Sequence, residues 1–350
     1  MPNLYRRNTT WWARFKVAGV EYRRSLYTSV KTEAERRLKA ARKEVEDEVL
    51  FGIGPPMSWE TAVLAWNQQA TADLAPKTVA RYLLSLRQCH TQLHGADIRK
   101  IDVPKLREVV KARRQQGVTT ATIRRDLTAI SSVLDYAIGE GWIQENATLT
   151  IRHKRMRERR DPITLPTPDA IATMIDAAPS RFADAIEFAH ETGMRQEEIF
   201  GLTRRQVGTG EVTIRGKGRK LRVIPLTPQG KRILDRQPQH LSSQFMFWHS
   251  DGQRWASPSP RFFDIQRRAS QKAAQEKREY HRFRFHDLRH LYAVEYLRAG
   301  KGSLYDLQKL LGHASVKTTE IYLEFLTPEQ AKAAKHRGGT NSDTAEAVRA

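Results

Sequence analysis

Near the N-terminus apolar positions alternate with polar ones. Trp11, Ala13, Phe15 and Val17 fall on one side of an extended chain and Arg14 and Lys16 on the other; Ala18-Gly19 reads as a turn, after which Val20, Tyr22, Arg24 and Leu26 keep the same period. This pattern predicts a small β-hairpin. Thr32 followed three residues later by Glu35 predicts a capping box opening a helix that runs to about Leu50. The glycines and prolines of Gly52-Ile53-Gly54-Pro55-Pro56 stop any helix there. From Ser58 the period becomes helical and predicts amphipathic helices over 58–70, 76–94, 103–114 and 119–140, with Gly95, Gly117 and Gly141 as stops. Residues 151–160 are too charged to pack and end at Asp161-Pro162, which reads as a linker.

Beyond Leu165, Thr167-Pro168 predicts a helix cap with proline at the first helical position, and apolar helices follow as far as Thr192, where Gly193 closes the second. Two strands, Glu211 to Arg215 and Leu221 to Pro225, flank the tip Gly216-Lys217-Gly218-Arg219-Lys220, whose glycines allow a tight turn. Another helix carries His286 and Arg289 and ends at Gly300. The fold class is therefore mainly α with small β-sheets, an α+β chain. The expected divisions are 1–52, a helical domain 57–148, a basic linker 149–164, a mixed α/β domain 165–328 and a tail 329–350. The tail, poor in apolar residues, is either disordered or a detachable helix that docks on a neighbour.

Composition changes this picture chiefly through charge. The chain has 350 residues and 39 % hydrophobic content, enough for two or three domain cores. Lys and Arg outnumber Asp and Glu by 60 to 39, a net charge of +21 that points to a polyanion, DNA or RNA first. Arg14, Lys16, Arg23 and Arg24 then read as a basic ribbon able to enter a DNA groove. Lys77, Arg81, Arg87, Arg113, Arg114, Arg124 and Arg125 supply helix faces for phosphate contact, and Arg152, Lys154 and Arg155 a strap across the backbone. Plain solvated charge explains each of these sets equally well. Cys89 is the only cysteine, so neither an intramolecular disulfide nor a cysteine metal cage can form, which fits a reducing interior. With no apolar leader and no bilayer-length apolar run, the expectation is a cytoplasmic protein with no membrane partner.

The candidate chemistry lies toward the C-terminus. His286-Asp287-Leu288-Arg289, Leu311-Gly312-His313 and Tyr322 follow one another in what reads as one helical stretch, with Arg195 and Lys217 upstream and Glu198 spaced to orient Arg195. That grouping suits the breaking of a phosphodiester by a tyrosine. Taken singly, Tyr322 reads as an amphipathic core residue, His313 as a helix cap and Arg195 as a salt-bridge partner of Glu198.

The boxes at 191–202 (Glu-Thr-Gly-Met-Arg-Gln-Glu-Glu-Ile-Phe-Gly-Leu), 286–290 (His-Asp-Leu-Arg-His) and 311–322 (Leu-Gly-His-Ala-Ser-Val-Lys-Thr-Thr-Glu-Ile-Tyr) resemble, in order and spacing, those of the tyrosine recombinases, the phage integrases and related site-specific recombinases. The resemblance is strong over 165–328. It is weaker over 57–148, similar to the family's core-binding domain, and over the N-terminal hairpin, similar to arm-binding domains. Two positions depart from the family pattern without touching a catalytic residue: Leu291, where a small hydroxyl residue is frequent, and Glu324, where a histidine is often found.

The resemblance implies an enzyme that cleaves and rejoins DNA. Tyr322 is the nucleophile forming a 3′-phosphotyrosine, Arg195 and Arg289 clamp the phosphate, and His313 donates to it. Lys217 protonates the 5′-oxygen and His286 accepts the tyrosine proton. It also implies a homotetramer on double-stranded attachment sites, with DNA-bending or excision factors as accessory partners, and integration or excision of a mobile element or phage genome. No cofactor or metal is expected: the bond energy is kept in the phosphotyrosine, and the sequence has neither a phosphate loop ending in Gly-Lys-Ser/Thr nor clustered two-metal carboxylates. Two other readings stay open, a type IB topoisomerase and a DNA-binding architectural or regulatory protein without turnover.

Overall fold

The computed structural model describes residues 3–51, 57–154, 156, 162–216, 221–255 and 257–336, with side chains at 48, 51, 152–154 and 336 outside that description. The chain divides into two compact units, residues 1–160 and 161–350. Each is described by itself.

The first unit opens with an antiparallel sheet, β1 (Asn3–Arg7), β2 (Thr10–Val17) and β3 (Val20–Ser25), in that order. The hairpin expected from the alternation is β2–β3, with Val17 opposite Val20 and positive φ at both Ala18 and Gly19 in its two-residue turn. The strand β1 was not foreseen, because five residues with three of them polar or basic carry too little alternation. Ala13, Phe15 and Val17 pack with Leu26 against Ala34 and Val45 of α1 (Lys31–Phe51). That helix begins one residue before Thr32, so Thr32 is a helical residue and not the expected cap.

Five further helices and one short turn surround a second core. They are α2 (Trp59–Asp73), α3 (Pro76–Gln88), the turn α4 (His90–Leu93), α5 (Val103–Gln115), α6 (Thr120–Gly139) and α7 (Thr148–Lys154). Ser58, Asp102 and Thr119 cap α2, α5 and α6 by accepting backbone amides, and Gly95, Gly117 and Gly141 all adopt positive φ. Trp59, Trp66, Leu106, Ile130 and Val133 form the centre of this core. The expected 76–94 helix breaks at Cys89, whose buried thiol is pushed up to about 12 by desolvation. Two expectations are corrected. Arg113 is not on an exposed face; it is buried and donates to Asp126 at 2.9 Å. The charged 151–160 stretch opens with α7, and Ile151 and Met156 pack on the core despite their basic neighbours.

The second unit holds α8 (Pro168–Ala177), α9 (Ser180–Thr192), the turn α10 (Gln196–Ile199), the hairpin β4 (Glu211–Arg215) and β5 (Leu221–Pro225), and α11 (Pro228–Asp235). The helices α12 (Pro258–Gln275), α13 (Phe285–Arg298), α14 (Leu304–Leu311), the turn α15 (Lys317–Glu320), a 3-10 turn Ile321–Phe325 and α16 (Pro328–His336) complete it. Phe182, Ile186, Phe200, Phe247 and Leu288 anchor its larger core; Val294, Leu307, Leu311 and Tyr322 anchor a smaller one. Ala334 of α16 is buried in that smaller core, so the first part of the expected tail packs on its own domain. No helix among the described residues is long and apolar enough to cross a membrane.

Candidate active site

His286 and Arg289 are one turn apart on α13, as expected, but His313 and Tyr322 are not on the same helical stretch. His313 lies in the loop after α14, and Tyr322 lies on the 3-10 turn. Tertiary packing, not helical period, brings them together.

Arg195 enters the site from the α9–α10 corner. Gly193 ends α9 at φ +62°, a left-handed conformation that glycine adopts without strain, and Met194 is 1 % exposed and pins the corner to the core. Arg195 then caps α10 and donates through Nη2 to the Gly312 carbonyl at 3.1 Å and through Nη1 to Glu198 Oε1 at 3.3 Å. Glu198 has a second and closer partner. Arg222 of β5 donates to both its oxygens, at 2.9 and 2.6 Å, and through Nε to the Leu310 carbonyl at 2.9 Å. Burial opposes ionisation of Glu198, but the Arg222 hydrogen bonds and the Arg195 backbone amide outweigh it and hold the carboxyl below its ordinary range. Arg222 thus ties the hairpin, the Arg195 corner and the His313 loop together. Nothing in the sequence pattern singled it out, because an arginine in an exposed-looking strand carries no periodic signal.

Arg289 is 2 % exposed. Its Nη1 donates to the Gly193 carbonyl at 2.8 Å and its Nη2 to the Leu311 carbonyl at 2.5 Å. Its buried Nε has no hydrogen-bond partner, and among the described residues no carboxylate forms an ion pair with it. Burial and the nearby Arg195 push the guanidinium down to about 9, still charged at neutral pH.

His313 follows Gly312, the left-handed C-cap of α14, and its Nδ1 lies 2.9 Å from Thr319 Oγ1, which holds the ring. Its ring stacks along that of Tyr322 with centroids 6.4 Å apart. Burial, then Arg289 and Arg195, lower the imidazole to about 4. His286 is exposed at the rim; partial desolvation, then His290 and Arg289, likewise lowers it to about 4. Both rings are therefore neutral at pH 7.

Tyr322 is 1 % exposed, and burial raises its phenol above the ordinary value while Arg289 and Arg195 oppose the rise. The ring that reaches its hydroxyl is that of His290, with Nδ1 3.0 Å from Oη; His286 stands one turn earlier, edge to face with His290. His290 was read only as the last letter of a motif. Its spacing of four from His286 was the available signal, since residues so spaced share a helix face.

Lys217 lies outside the described residues, although the strands on either side of it pair in the expected register, Arg215 opposite Leu221. Of the proposed DNA contacts, Arg14 and Arg23 are exposed cross-strand neighbours and both pair with Glu21, at 3.0 and 2.8 Å, while Lys16 is exposed beside them. Arg24 instead bonds Glu44 of α1 at 3.0 Å and faces the helix. Lys77, Arg81 and Arg125 are exposed and Arg124 half-buried; Arg152 and Lys154 sit on α7 with side chains outside the description, and Arg155 lies outside it altogether.

Comparison with known proteins shows the family and the fold. The phage integrase family matches residues 145–327, and its N-terminal SAM-like domain matches 69–141. A tyrosine recombinase of Thermosipho africanus is 30 % identical over 274 residues, covering 74 % of this chain and 92 % of that protein. Tyrosine recombinase XerC of Pseudomonas syringae pv. tomato is 30 % identical over 71 % of this chain and 86 % of its own length. Among solved structures, a lambda integrase dimer bound to a COC′ core site superposes with a TM-score of 0.62 at 18 % identity, covering 97 % of this chain and 96 % of that one. A lambda integrase tetramer bound to a Holliday junction gives 0.62 at 19 % identity, covering 92 % and 94 %. The chain belongs to the phage integrase family, the tyrosine-type site-specific DNA recombinases.

Proposed function

We propose that this protein cleaves and rejoins double-stranded DNA at attachment sites through a 3′-phosphotyrosine at Tyr322, and that it does so to integrate or excise a mobile element or phage genome. The observation that carries the chemistry is the state of Arg289. A buried guanidinium without a carboxylate is costly, and the cost is recovered when an anion joins it. Arg195, which bonds the Gly312 carbonyl next to the Leu311 carbonyl that Arg289 bonds, supplies a second fork, so a phosphate they share is held on two oxygens with a planar geometry an ammonium cannot match.

In this reading Arg195 and Arg289 neutralise the charge that gathers on the non-bridging oxygens, and His313, fixed by Thr319, donates a further hydrogen bond to them. Glu198 positions Arg195. Lys217, in the segment between β4 and β5, protonates the leaving 5′-oxygen. His286, expected from the resemblance to accept the tyrosine's proton, stands at the rim and packs edge to face on His290, the ring that lies at the Tyr322 hydroxyl. Neither metal nor nucleotide takes part, because the bond energy is retained in the phosphotyrosine.

The mobile-element assignment is supported by residues 3–51, a folded sheet and helix that precede both family matches and present Arg14, Lys16 and Arg23 on an exposed face. A homotetramer acting on paired duplexes is supported by the fold shared with the lambda integrase tetramer. Bending or excision factors join as accessory partners, and the setting is the DNA of the cytoplasm.

The test is covalent trapping. Nicked duplexes of random core sequence are incubated with the protein, quenched in detergent, and the attached DNA is sequenced. An adduct at a 3′-phosphate is expected from the wild type and none from Tyr322→Phe. Salt-sensitive binding without any adduct would favour an architectural protein, and relaxation of plasmid by a monomer without strand exchange would favour a type IB topoisomerase.

A further inference from the structure

We propose that His290 is a catalytic residue of this site, taking the proton from the Tyr322 hydroxyl onto its Nδ1 as Oη attacks phosphorus. The inference rests on the recombinase reading above and assigns one of its steps to a residue that reading leaves as a mere contact. Oη lies 3.0 Å from His290 Nδ1, within reach of direct transfer. Tyr322 is 1 % exposed, so the hydroxyl is shut away from bulk water as an alternative acceptor. The edge-to-face packing of His290 on His286, centroids 4.8 Å apart and planes at 89°, fixes the ring that presents Nδ1.

The groups around His290 come from three elements. On α13, Asp287 favours its protonated form while Arg284 and Arg289 oppose it, and His286 packs on the ring; the 3-10 turn brings Tyr322, and the loop after α14 brings His313. Burial outweighs the rest and holds His290 below the ordinary histidine range, so it is a neutral base at pH 7. The step balances. The Oη–P bond forms, the P–O5′ bond breaks, the phenol proton moves to His290, and the departing 5′-oxygen takes a proton from Lys217. On rejoining, the incoming 5′-hydroxyl returns its proton to Lys217, and His290 reprotonates the phenolate that leaves.

The experiment uses the full-length protein on a nicked duplex carrying the site found by trapping, with an ordinary or a sulfur-bridged 5′-leaving group. Wild type, His290→Ala, His290→Asn, His286→Ala and Lys217→Ala are compared over a range of pH. Loss of a general base costs about 10²- to 10⁴-fold. Both His290 variants are expected to slow adduct formation on that scale, on both leaving groups, with a rate that keeps rising with pH toward the phenol's own ionisation. Sulfur, which needs no proton to depart, is expected to rescue Lys217→Ala alone. His290→Asn keeps a polar side chain of similar reach but cannot take the proton, so wild-type activity in that variant would leave only a positioning role and overturn the proposal. Equal or faster cleavage by His290→Ala, rescue of it by sulfur, or the altered pH profile appearing in His286→Ala instead would overturn it too. A wild type that forms no adduct, or a Tyr322→Phe that does, would sink the recombinase reading itself, a separate failure.

Discussion

Gly193 shows how one residue serves both backbone and chemistry. Its φ of +62° ends α9, and its carbonyl accepts from Arg289 at 2.8 Å. A Cβ added there would collide with the Tyr292 ring. Gly193→Ala is therefore expected to cost at least about 1–2 kcal/mol, from the left-handed backbone alone, and to lower the melting temperature. Because the carbonyl must shift with the corner, Arg289 loses a fixed partner, and adduct formation should fall by more than stability accounts for. Cleavage assayed well below the melting temperature separates the two; a destabilised variant with wild-type cleavage would show that the corner does not align Arg289. Glu198 obeys the same logic in side chains. The spacing Arg195 to Glu198 was legible as a possible pair, and the structure contains it, yet the stronger bonds to Glu198 come from Arg222, 24 residues away.

At the scale of elements, α5 and α6 are joined by an ion pair that sequence reading had assigned to the surface. Arg113 and Asp126 side chains are 6 % and 2 % exposed, with Arg113 Nη1 also donating to Gln88 at 3.3 Å. Removing one partner strands a buried charge. Asp126→Ala is thus expected to lose about 3–5 kcal/mol in denaturant unfolding, whereas replacing both residues with apolar ones of similar volume should recover most of it. A single variant as stable as wild type would mean that water reaches the pair. The helix period in fact puts Arg113 on the apolar face itself, three residues after Val110, four after Val109 and seven after Leu106, so its burial was legible in the spacing, and only its charge argued for the surface. The caps fared better: Ser58, Thr119 and Thr167 start their helices as read, because a side-chain oxygen accepting a backbone amide is a local interaction. Thr32 failed because Val30 and Lys31 already take helical bonds before it.

At the scale of the molecule, a net charge of +21 makes binding to any polyanion dependent on salt. If the protein contacts roughly 6–10 phosphates, affinity for duplex DNA should fall by about 10³- to 10⁵-fold between 50 and 200 mM salt. Fluorescence anisotropy across that range checks this, and a flat profile would mean that the basic residues serve solubility and not DNA. The sequence by itself determined the helical class, the β2–β3 and β4–β5 hairpins and several helix starts, and it singled out Arg195, His286, Arg289, His313 and Tyr322 as candidates. These rest on short-range signals: alternation, helical period, turn residues and ordered motifs. Only the tertiary structure decided that Arg289 is buried with no carboxylate paired to it among the described residues, that Arg222 anchors Glu198, and that His290 is the ring at the Tyr322 hydroxyl. Each of these depends on packing between segments distant in sequence, where burial sets the charge of a side chain and which partners it can reach.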